Sequence, residues 1–167
     1  MSFRHTRVWT IKASPADVFR ALMDPGELTQ WFAEGAQVEP HVGGVYRFWG
    51  RHTVGTPPQD AARQVITRLK QDALLAFDWP INDVDTDVTV MLERAPEGTT
   101  LSITHRISGD LALPRQKEQI DDHWRHAIGN LIAHVEGGVV VMPDYFDPNR
   151  KVAGGWRSRG DDRQQDA

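Results

Sequence analysis

Residues 14–32 read SPADVFRALMDPGELTQWF, and this stretch predicts two short helices separated by a sharp break. Ser14 can serve as an N-cap, Pro15 suits the first helical position, and Asp17 follows three residues after the cap. The segment DPGE at residues 24–27 repeats this arrangement at once, so a second helix begins where the first one ends. Each helix also carries an apolar face, which predicts that the pair packs on a core as an elbow. The apolar residues of the two helices are Val18, Phe19, Leu22, Leu28, Trp31 and Phe32.

An alternating pattern before and after the elbow predicts an antiparallel sheet. Residues 3–11 are rich in β-favouring types, and GGVYRFW at residues 43–49 opens a series of alternating segments that turn residues separate. Because side chains two apart share one face of a strand, the alternation also predicts which face is buried. The expected strands cover residues 3–11, 37–40, 44–53, 61–70, 74–79, 85–94 and 99–107. The expected inner face carries Tyr46, Phe48, Leu75, Phe77, Trp79, Val88, Val90, Leu92, Leu101, Ile103 and His105.

A long helix is predicted over Pro114–Glu136, where apolar residues recur at helical spacing and Gly137-Gly138 supplies the stop. A one-sided sheet and a one-sided helix bury their apolar faces by packing together. We therefore expect an α+β fold in which a curved antiparallel sheet of about six or seven strands wraps around the C-terminal helix. Residues 1–142 are expected to form this domain. Residues 143–167 change to a composition of Pro, Asp, Gly, Arg and Gln, which predicts a loosely ordered tail.

The composition excludes several classes of function. A formal charge of -4 with 40% hydrophobic residues argues against a nucleic-acid partner. Cysteine is absent, which removes disulfides, thiolate metal sites and cysteine nucleophiles. The first residues lack the apolar core of a signal peptide and no apolar run approaches the roughly 20 residues of a membrane span, so we expect a cytoplasmic protein without a membrane partner. No phosphate-binding loop, dinucleotide fingerprint, serine elbow or paired histidine motif occurs, so we expect no cofactor and no metal.

The order of these segments resembles the START-like, or SRPBCC, superfamily. The capped helix pair, the LTQWF segment at residues 28–32, GGVYRFW at 43–49 and TTLSITHRI at 99–107 carry the resemblance. Within the superfamily the chain is similar to the group of the C-terminal domain of the activator of Hsp90 ATPase. The resemblance covers roughly Arg7 to Met142 and implies a helix-grip fold, also called birch pollen allergen-like, with a cavity between the sheet and the last helix.

Aromatic and apolar side chains from the elbow, the inner sheet face and the last helix are expected to line that cavity. Such walls are what a small-molecule pocket of about 300 to 1,000 Å³ requires. The alternative is ordinary core packing, and an interior filled by the protein's own rings would contradict the pocket. The residues predicted to bind the ligand are Trp31, Phe32, Tyr46, Phe48, His52, Phe77, Trp79, Val90, His105, Trp124 and Ile128.

Histidines are the candidate polar groups of the site. His105 lies on the expected inner face, where it either holds a ligand oxygen or is a core histidine bonded to a carbonyl or water. His52 shares the parity of Tyr46, provided that the strand has no bulge. His123 and His126 are three apart in the last helix but off its apolar stripe, so we interpret them as a solvated face and not as a metal site.

Three functions remain as hypotheses. The first is binding of a hydrophobic or aromatic small molecule in the cavity. The second is a cyclase-like or aromatase-like enzyme in which His105 or His52 acts with Tyr46 on protons. The third, a co-chaperone or stress-response role, is implied only by the resemblance. Chaperone activators carry an additional N-terminal domain, for which a first strand that starts near Phe3 leaves no room, so we expect no chaperone partner. The sequence leaves a homodimer open.

Overall fold

Strands and helices follow one another along the chain in the order that the sequence predicts. The computed structural model describes residues 3–54, 58–81, 84–108, 114–145 and 147. The elements are β1 (Phe3–Ile11), α1 (Pro15–Met23), α2 (Pro25–Trp31), β2 (Gly35–Val38), β3 (Tyr46–Trp49), a 3₁₀ turn (Gln59–Ala61), β4 (Val65–Lys70), β5 (Leu74–Asp78), β6 (Thr86–Ala95), β7 (Gly98–Ile107) and α3 (Pro114–Glu136). None of the helices in these ranges is both long and apolar enough to cross a bilayer.

The elbow owes its shape to two adjacent caps. The Ser14 hydroxyl accepts a hydrogen bond from the backbone N–H of Asp17 at 3.1 Å and starts α1. Asp24 then acts at both helices, because its N–H closes the last turn of α1 on the Arg20 carbonyl while its carboxylate accepts from the N–H of Gly26. A single residue therefore ends one helix and begins the next, which confirms the predicted break.

All strands pair antiparallel with their neighbours. The five-stranded ladder runs β1-β7-β6-β5-β4, and β2 and β3 form a separate pair. A bridge between Val45 and Val65 joins the two parts, with hydrogen bonds from the N–H of Tyr46 to the Gln64 carbonyl and from the N–H of Ile66 to the Gly44 carbonyl. The result is an antiparallel arrangement of five plus two strands, and the predicted α+β architecture is confirmed.

The strands predicted at residues 44–53 and 61–70 are longer than the strands observed. β3 ends at Trp49 because Gly50 turns the chain with a φ of +104°, a conformation that favours glycine. β4 begins only at Val65, so the ladder lacks a backbone partner for Phe48. The buried side chain of Gln64 takes that place. Its Oε1 accepts from the N–H of Phe48 at 3.3 Å and its Nε2 donates to the Phe48 carbonyl at 3.0 Å.

The helix α3 has the predicted bounds and closes the inner face of the sheet. Ile120, Trp124, Ile128 and Leu131 are buried in the central apolar cluster. At its two ends α3 is attached to the β1 side by polar contacts. Arg7 Nε lies 2.9 Å from an Asp121 carboxylate oxygen, and the backbone N–H of Lys12 donates to Glu136 at 2.9 Å. These contacts fix the width of the space between sheet and helix.

Candidate ligand site

A small apolar void lies where the elbow, the sheet and α3 meet. Its volume is about 10 Å³, which is room for a single water molecule, and its apolar walls offer that water no partners. The space that the described residues enclose between the sheet and α3 is therefore far smaller than the expected several hundred cubic ångströms. The lining residues are Leu22, Trp31, Phe32, Tyr46, Leu75, Phe77, Val90, Ile103, Trp124 and Ile128.

Aromatic rings of the protein fill the space that the prediction left for a ligand. The Phe32 ring is the centre of this packing, since its centroid lies 4.8 Å from Phe48, 5.0 Å from Trp31 and 6.2 Å from Trp124. Each such pair contributes about 0.5–1.5 kcal/mol beyond the burial of its area. The sequence correctly indicated convergence of these rings but not how closely they pack.

Seven of the eleven predicted ligand-binding residues line the void directly: Trp31, Phe32, Tyr46, Phe77, Val90, Trp124 and Ile128. Phe48, Trp79 and His105 are buried beside it, with ring centroids 4.9 Å apart for Phe48 and Trp79 and 5.4 Å apart for Trp79 and His105. His52 lies elsewhere. Because β3 ends at Trp49, the parity argument does not extend to residue 52, and the ring nitrogen Nδ1 of His52 lies 2.6 Å from the carbonyl of Pro143.

His105 is the middle of a buried chain of hydrogen bonds. The indole N–H of Trp124 donates to Nδ1 of His105 at 2.9 Å, so Nδ1 carries no proton. The proton is then on Nε2, which donates to the hydroxyl of Thr86 at 2.9 Å, and that hydroxyl donates to the Trp79 carbonyl. Burial, with a smaller contribution from the charge of His5, lowers the pKa of His105 to about 3. His105 is thus a neutral core histidine, and its partners are side chains.

The polar atoms of the elbow side are also paired within the protein. The Tyr46 hydroxyl donates to the Leu22 carbonyl at 2.6 Å, and the Trp31 indole N–H donates to the Ala21 carbonyl at 2.9 Å. Burial raises the pKa of the Tyr46 hydroxyl. These bonds fix both rings in orientation, so the void presents apolar surface to any molecule that enters it.

His123 is buried, and its assignment to a solvated helix face is wrong. Only 2% of His123 is exposed, and its ring packs edge to face on Trp124 and Phe32 at 4.7 and 5.9 Å. The prediction assumed that α3 is covered only by the sheet, whereas the chain that follows α3 also packs on it. His126 points another way, with Nε2 at 2.8 Å from the Val141 carbonyl. Among the residues that the structure describes, no three His, Asp or Glu side chains lie close enough to share a metal ion.

The segment of residues 139–145, which we call the C-terminal strap, runs back along α3. The Asn130 side chain pairs with both backbone groups of Val141, accepting at 3.1 Å and donating at 2.9 Å. Farther on, the N–H of Tyr145 donates to the Arg51 carbonyl at 2.7 Å. Tyr145 is only 1% exposed, although it belongs to the stretch that the composition assigned to a loose tail. The run VVVMP at residues 139–143, two glycines after the end of α3, was the available signal for a docked segment. Residues 148–167 lie outside the described part of the chain.

Arg51 links the strap to the elbow through two carboxylates. The Glu34 carboxylate accepts hydrogen bonds from the backbone N–H and the Nε–H of Arg51, at 2.8 and 3.0 Å. These interactions lower the pKa of Glu34, and the bond from the backbone N–H has the largest effect. On the strap, the Asp144 carboxylate lies 3.6 Å from the Arg51 guanidinium. A carboxylate and a buried aromatic ring thus stand side by side in the sequence at residues 144 and 145.

Comparison with known proteins agrees with this architecture. A family model described as Activator of Hsp90 ATPase homolog 1-like protein matches residues 12–136. Among solved structures, a protein from Mesorhizobium loti aligns with a TM-score of 0.66 at 17% identity, covering 83% of this chain and 100% of that one. An AHSA1-like protein from Rhizobium etli gives 0.63 at 25% identity, over 81% and 83% of the two chains. CalU16 from Micromonospora echinospora gives 0.61 at 19% identity, over 80% and 75%. No curated protein matches the chain.

Proposed function

The chain belongs to the family of Activator of Hsp90 ATPase homolog 1-like proteins, and we propose that it binds a small aromatic or hydrophobic molecule between the sheet and α3. The observation that carries the proposal is the convergence of rings from the elbow, the sheet and α3 on one apolar void. Apolar walls with few polar groups are characteristic of small-molecule sites.

The interior is filled by the protein's own rings, which contradicts the predicted open pocket, so binding requires the void to widen. A benzene-sized molecule needs a cavity of roughly 150 Å³, far more than the about 10 Å³ enclosed here. Phe32 is the ring whose displacement widens the void most directly, because it lines the void and caps the C-terminal end of α2. The ligand then replaces the contacts that Phe32 makes with Phe48 and Trp124. Since only the open form binds, the apparent affinity equals the affinity of the open form multiplied by the fraction of molecules that are open.

Proton transfer by His105 or Tyr46 is not part of the proposal. Both ring nitrogens of His105 have protein partners, and a pKa of about 3 keeps the ring neutral near pH 7. The Tyr46 hydroxyl is held by the Leu22 carbonyl, and its raised pKa makes it a poor acid. A general acid or base needs the opposite arrangement, with a pKa near the working pH and an atom facing the substrate.

The test is titration with indole and 2-naphthol, with cyclohexanol as the non-aromatic comparison. We expect saturable binding of the aromatic probes by calorimetry, accompanied by NMR shifts of the indole N–H signals of Trp31 and Trp124. Val90→Phe fills the void from the sheet side and should abolish binding, at a cost in stability of about 1–3 kcal/mol. Met91→Phe is the matched control, because the neighbouring side chain lies on the outer face and is 46% exposed.

Two results would contradict the proposal. One is the absence of saturable binding for every aromatic probe. The other is equal binding by the folded Val90→Phe and Met91→Phe variants, since binding would then take place away from the void.

A further inference from the structure

We propose that the C-terminal strap is a built-in competitor for the ligand, and that the site beneath it takes an aromatic carboxylic acid whose ring replaces Tyr145 and whose carboxylate replaces Asp144. This inference rests on the proposed function, because it names the entrance and the ligand class of the same site. It concerns residues 139–145 together with the turn after β3 and the part of α3 that they contact.

Tyr145 lies one ring away from the lining of the void. Its ring centroid is 6.2 Å from that of His123, and His123 lies 5.9 Å from Phe32 and 4.7 Å from Trp124. Phe32 and Trp124 are themselves lining residues. Among the described residues, a series of ring contacts thus leads from Tyr145 through His123 to the lining of the void.

The strap can leave without disturbing the rest of the fold. It pairs with no strand, and its first residues contribute little burial, since Val139 and Val141 are 84% and 64% exposed. Its polar contacts include those of Val141 with Asn130 and His126, of Pro143 with His52, and of Asp144 and Tyr145 with Arg51. Once the strap leaves, water can reach these polar groups, so none of them is left buried and unpaired.

The two side chains at the end of the strap define the ligand. Tyr145 places a phenol ring in the aromatic surroundings of His123, and Asp144 places a carboxylate 3.6 Å from the Arg51 guanidinium. A guanidinium recognises carboxylates in general, and ring faces favour another ring over an aliphatic group of equal size. A hydroxylated aromatic acid presents both features in one molecule, as the proposal requires.

The experiment uses three probes and three variants of the full chain. The probes are 4-hydroxyphenylacetate, the same molecule with an alcohol in place of the acid (4-hydroxyphenylethanol), and cyclohexylacetate, which keeps the acid and loses the ring. The variants are Tyr145→Ala, Asp144→Ala and the control Val139→Ala on the exposed start of the strap. Binding is measured by calorimetry, and folding is checked by the thermal unfolding midpoint.

We expect Tyr145→Ala to bind 4-hydroxyphenylacetate at least tenfold more tightly than the wild type and Val139→Ala. Asp144→Ala should bind 4-hydroxyphenylacetate several-fold more tightly and bind 4-hydroxyphenylethanol with unchanged affinity. A gain in affinity that is limited to the acid cannot come from a cavity of the kind that truncation of Tyr145 creates. Cyclohexylacetate should bind most weakly to every variant. In the wild type, saturation with 4-hydroxyphenylacetate should increase hydrogen exchange at the amides of Val141 and Tyr145, while the amides of β6 and β7 remain protected.

Failure of this inference differs from failure of the proposed function. If Tyr145→Ala gains no affinity, or if the wild-type strap amides stay protected under saturation, the strap does not compete and the inference is overturned. Binding of 2-naphthol that Val90→Phe abolishes would still support the proposed function in that case. The hydrogen exchange measurement on the wild type decides the matter even if Tyr145→Ala does not fold.

Discussion

Replacing His105 should reduce the loss of stability that this protein shows as the pH falls below 6.5. In the folded chain burial lowers the pKa of His105 from 6.5 to about 3, and both ring nitrogens are engaged. Between these two pH values the unfolded chain binds a proton at this residue that the folded chain does not bind. The contribution of His105 to stability is therefore complete above pH 6.5 and is lost as the pH falls from 6.5 toward 3.

The size of the effect follows from the width of that window. Each unit of pH within it changes the free energy of unfolding by about 1.4 kcal/mol, so a fall from pH 7.5 to 5.0 removes about 2 kcal/mol through His105. This is a substantial share of the 5 to 15 kcal/mol that is typical of a domain. Gln is a suitable replacement, because its amide can donate to Thr86 and accept from Trp124 but does not titrate.

The measurement is urea unfolding at pH 7.5, 6.0 and 5.0, followed by circular dichroism. The wild type should lose about 2 kcal/mol more than His105→Gln between pH 7.5 and 5.0, whatever the difference between them at pH 7.5. His41→Gln removes an exposed histidine and should follow the wild-type slope. Parallel curves for the wild type and His105→Gln would refute the reasoning, since the buried ring would then gain its proton as easily in the folded chain as in the unfolded one.

Three further substitutions test single elements of the fold by urea or thermal unfolding. Gln64→Ala leaves both backbone groups of Phe48 without their partner and should lower the free energy of unfolding by about 1–3 kcal/mol. A loss under about 0.5 kcal/mol, which is typical of a surface substitution, would show that water replaces the Gln64 amide. Asp24→Ala removes the cap of α2 and should cost about 1 kcal/mol, with Asp24→Asn close to the wild type; equal losses would mean that the cap contributes nothing. Gly129→Ala should stabilise α3 by about 1 kcal/mol, because no atom lies within 4 Å of the added Cβ, and a lower melting temperature would contradict this.

The elements that could be predicted from the sequence are those whose signals are local. The caps at Ser14 and Asp24 set the elbow through hydrogen bonds to residues two or three positions away, so no distant information was needed. The inner face of β6 and β7 followed from uninterrupted alternation, and the observed register indeed places Val88 opposite His105. The end of β3 was missed because it depends on Gly50 and on the side chain of Gln64, which is far from Phe48 in sequence.

The candidate site could be predicted only in part. Local sequence patterns indicate which residues face the site, but they do not indicate how much space those residues leave between them. Alternation placed Tyr46 and Phe77 on one face, and helical spacing placed Trp124 toward them. The difference between a pocket and a filled core depends on ring positions that differ by an ångström or two, which no pattern of residue types records. The burial of His123 was missed for a related reason, since it depends on a segment that returns along α3 only after the helix has ended.

The distribution of hydrogen bonds decides from which side the filled interior can open. On the sheet side, Trp124, His105 and Thr86 form a continuous buried chain, and moving any one of them leaves a partner unsatisfied in an apolar space. On the strap side, Arg51 is exposed and the bonds of the strap to His52 and Asn130 are part-buried, so water can replace the strap in these bonds once it leaves. If the strap moves away, its hydrogen bonds to the protein are exchanged for hydrogen bonds to water. If the sheet side opens, buried hydrogen bonds are lost without replacement. Under the proposal of a competing strap, a ligand therefore reaches Phe32 past His123 and displaces Tyr145 on its way.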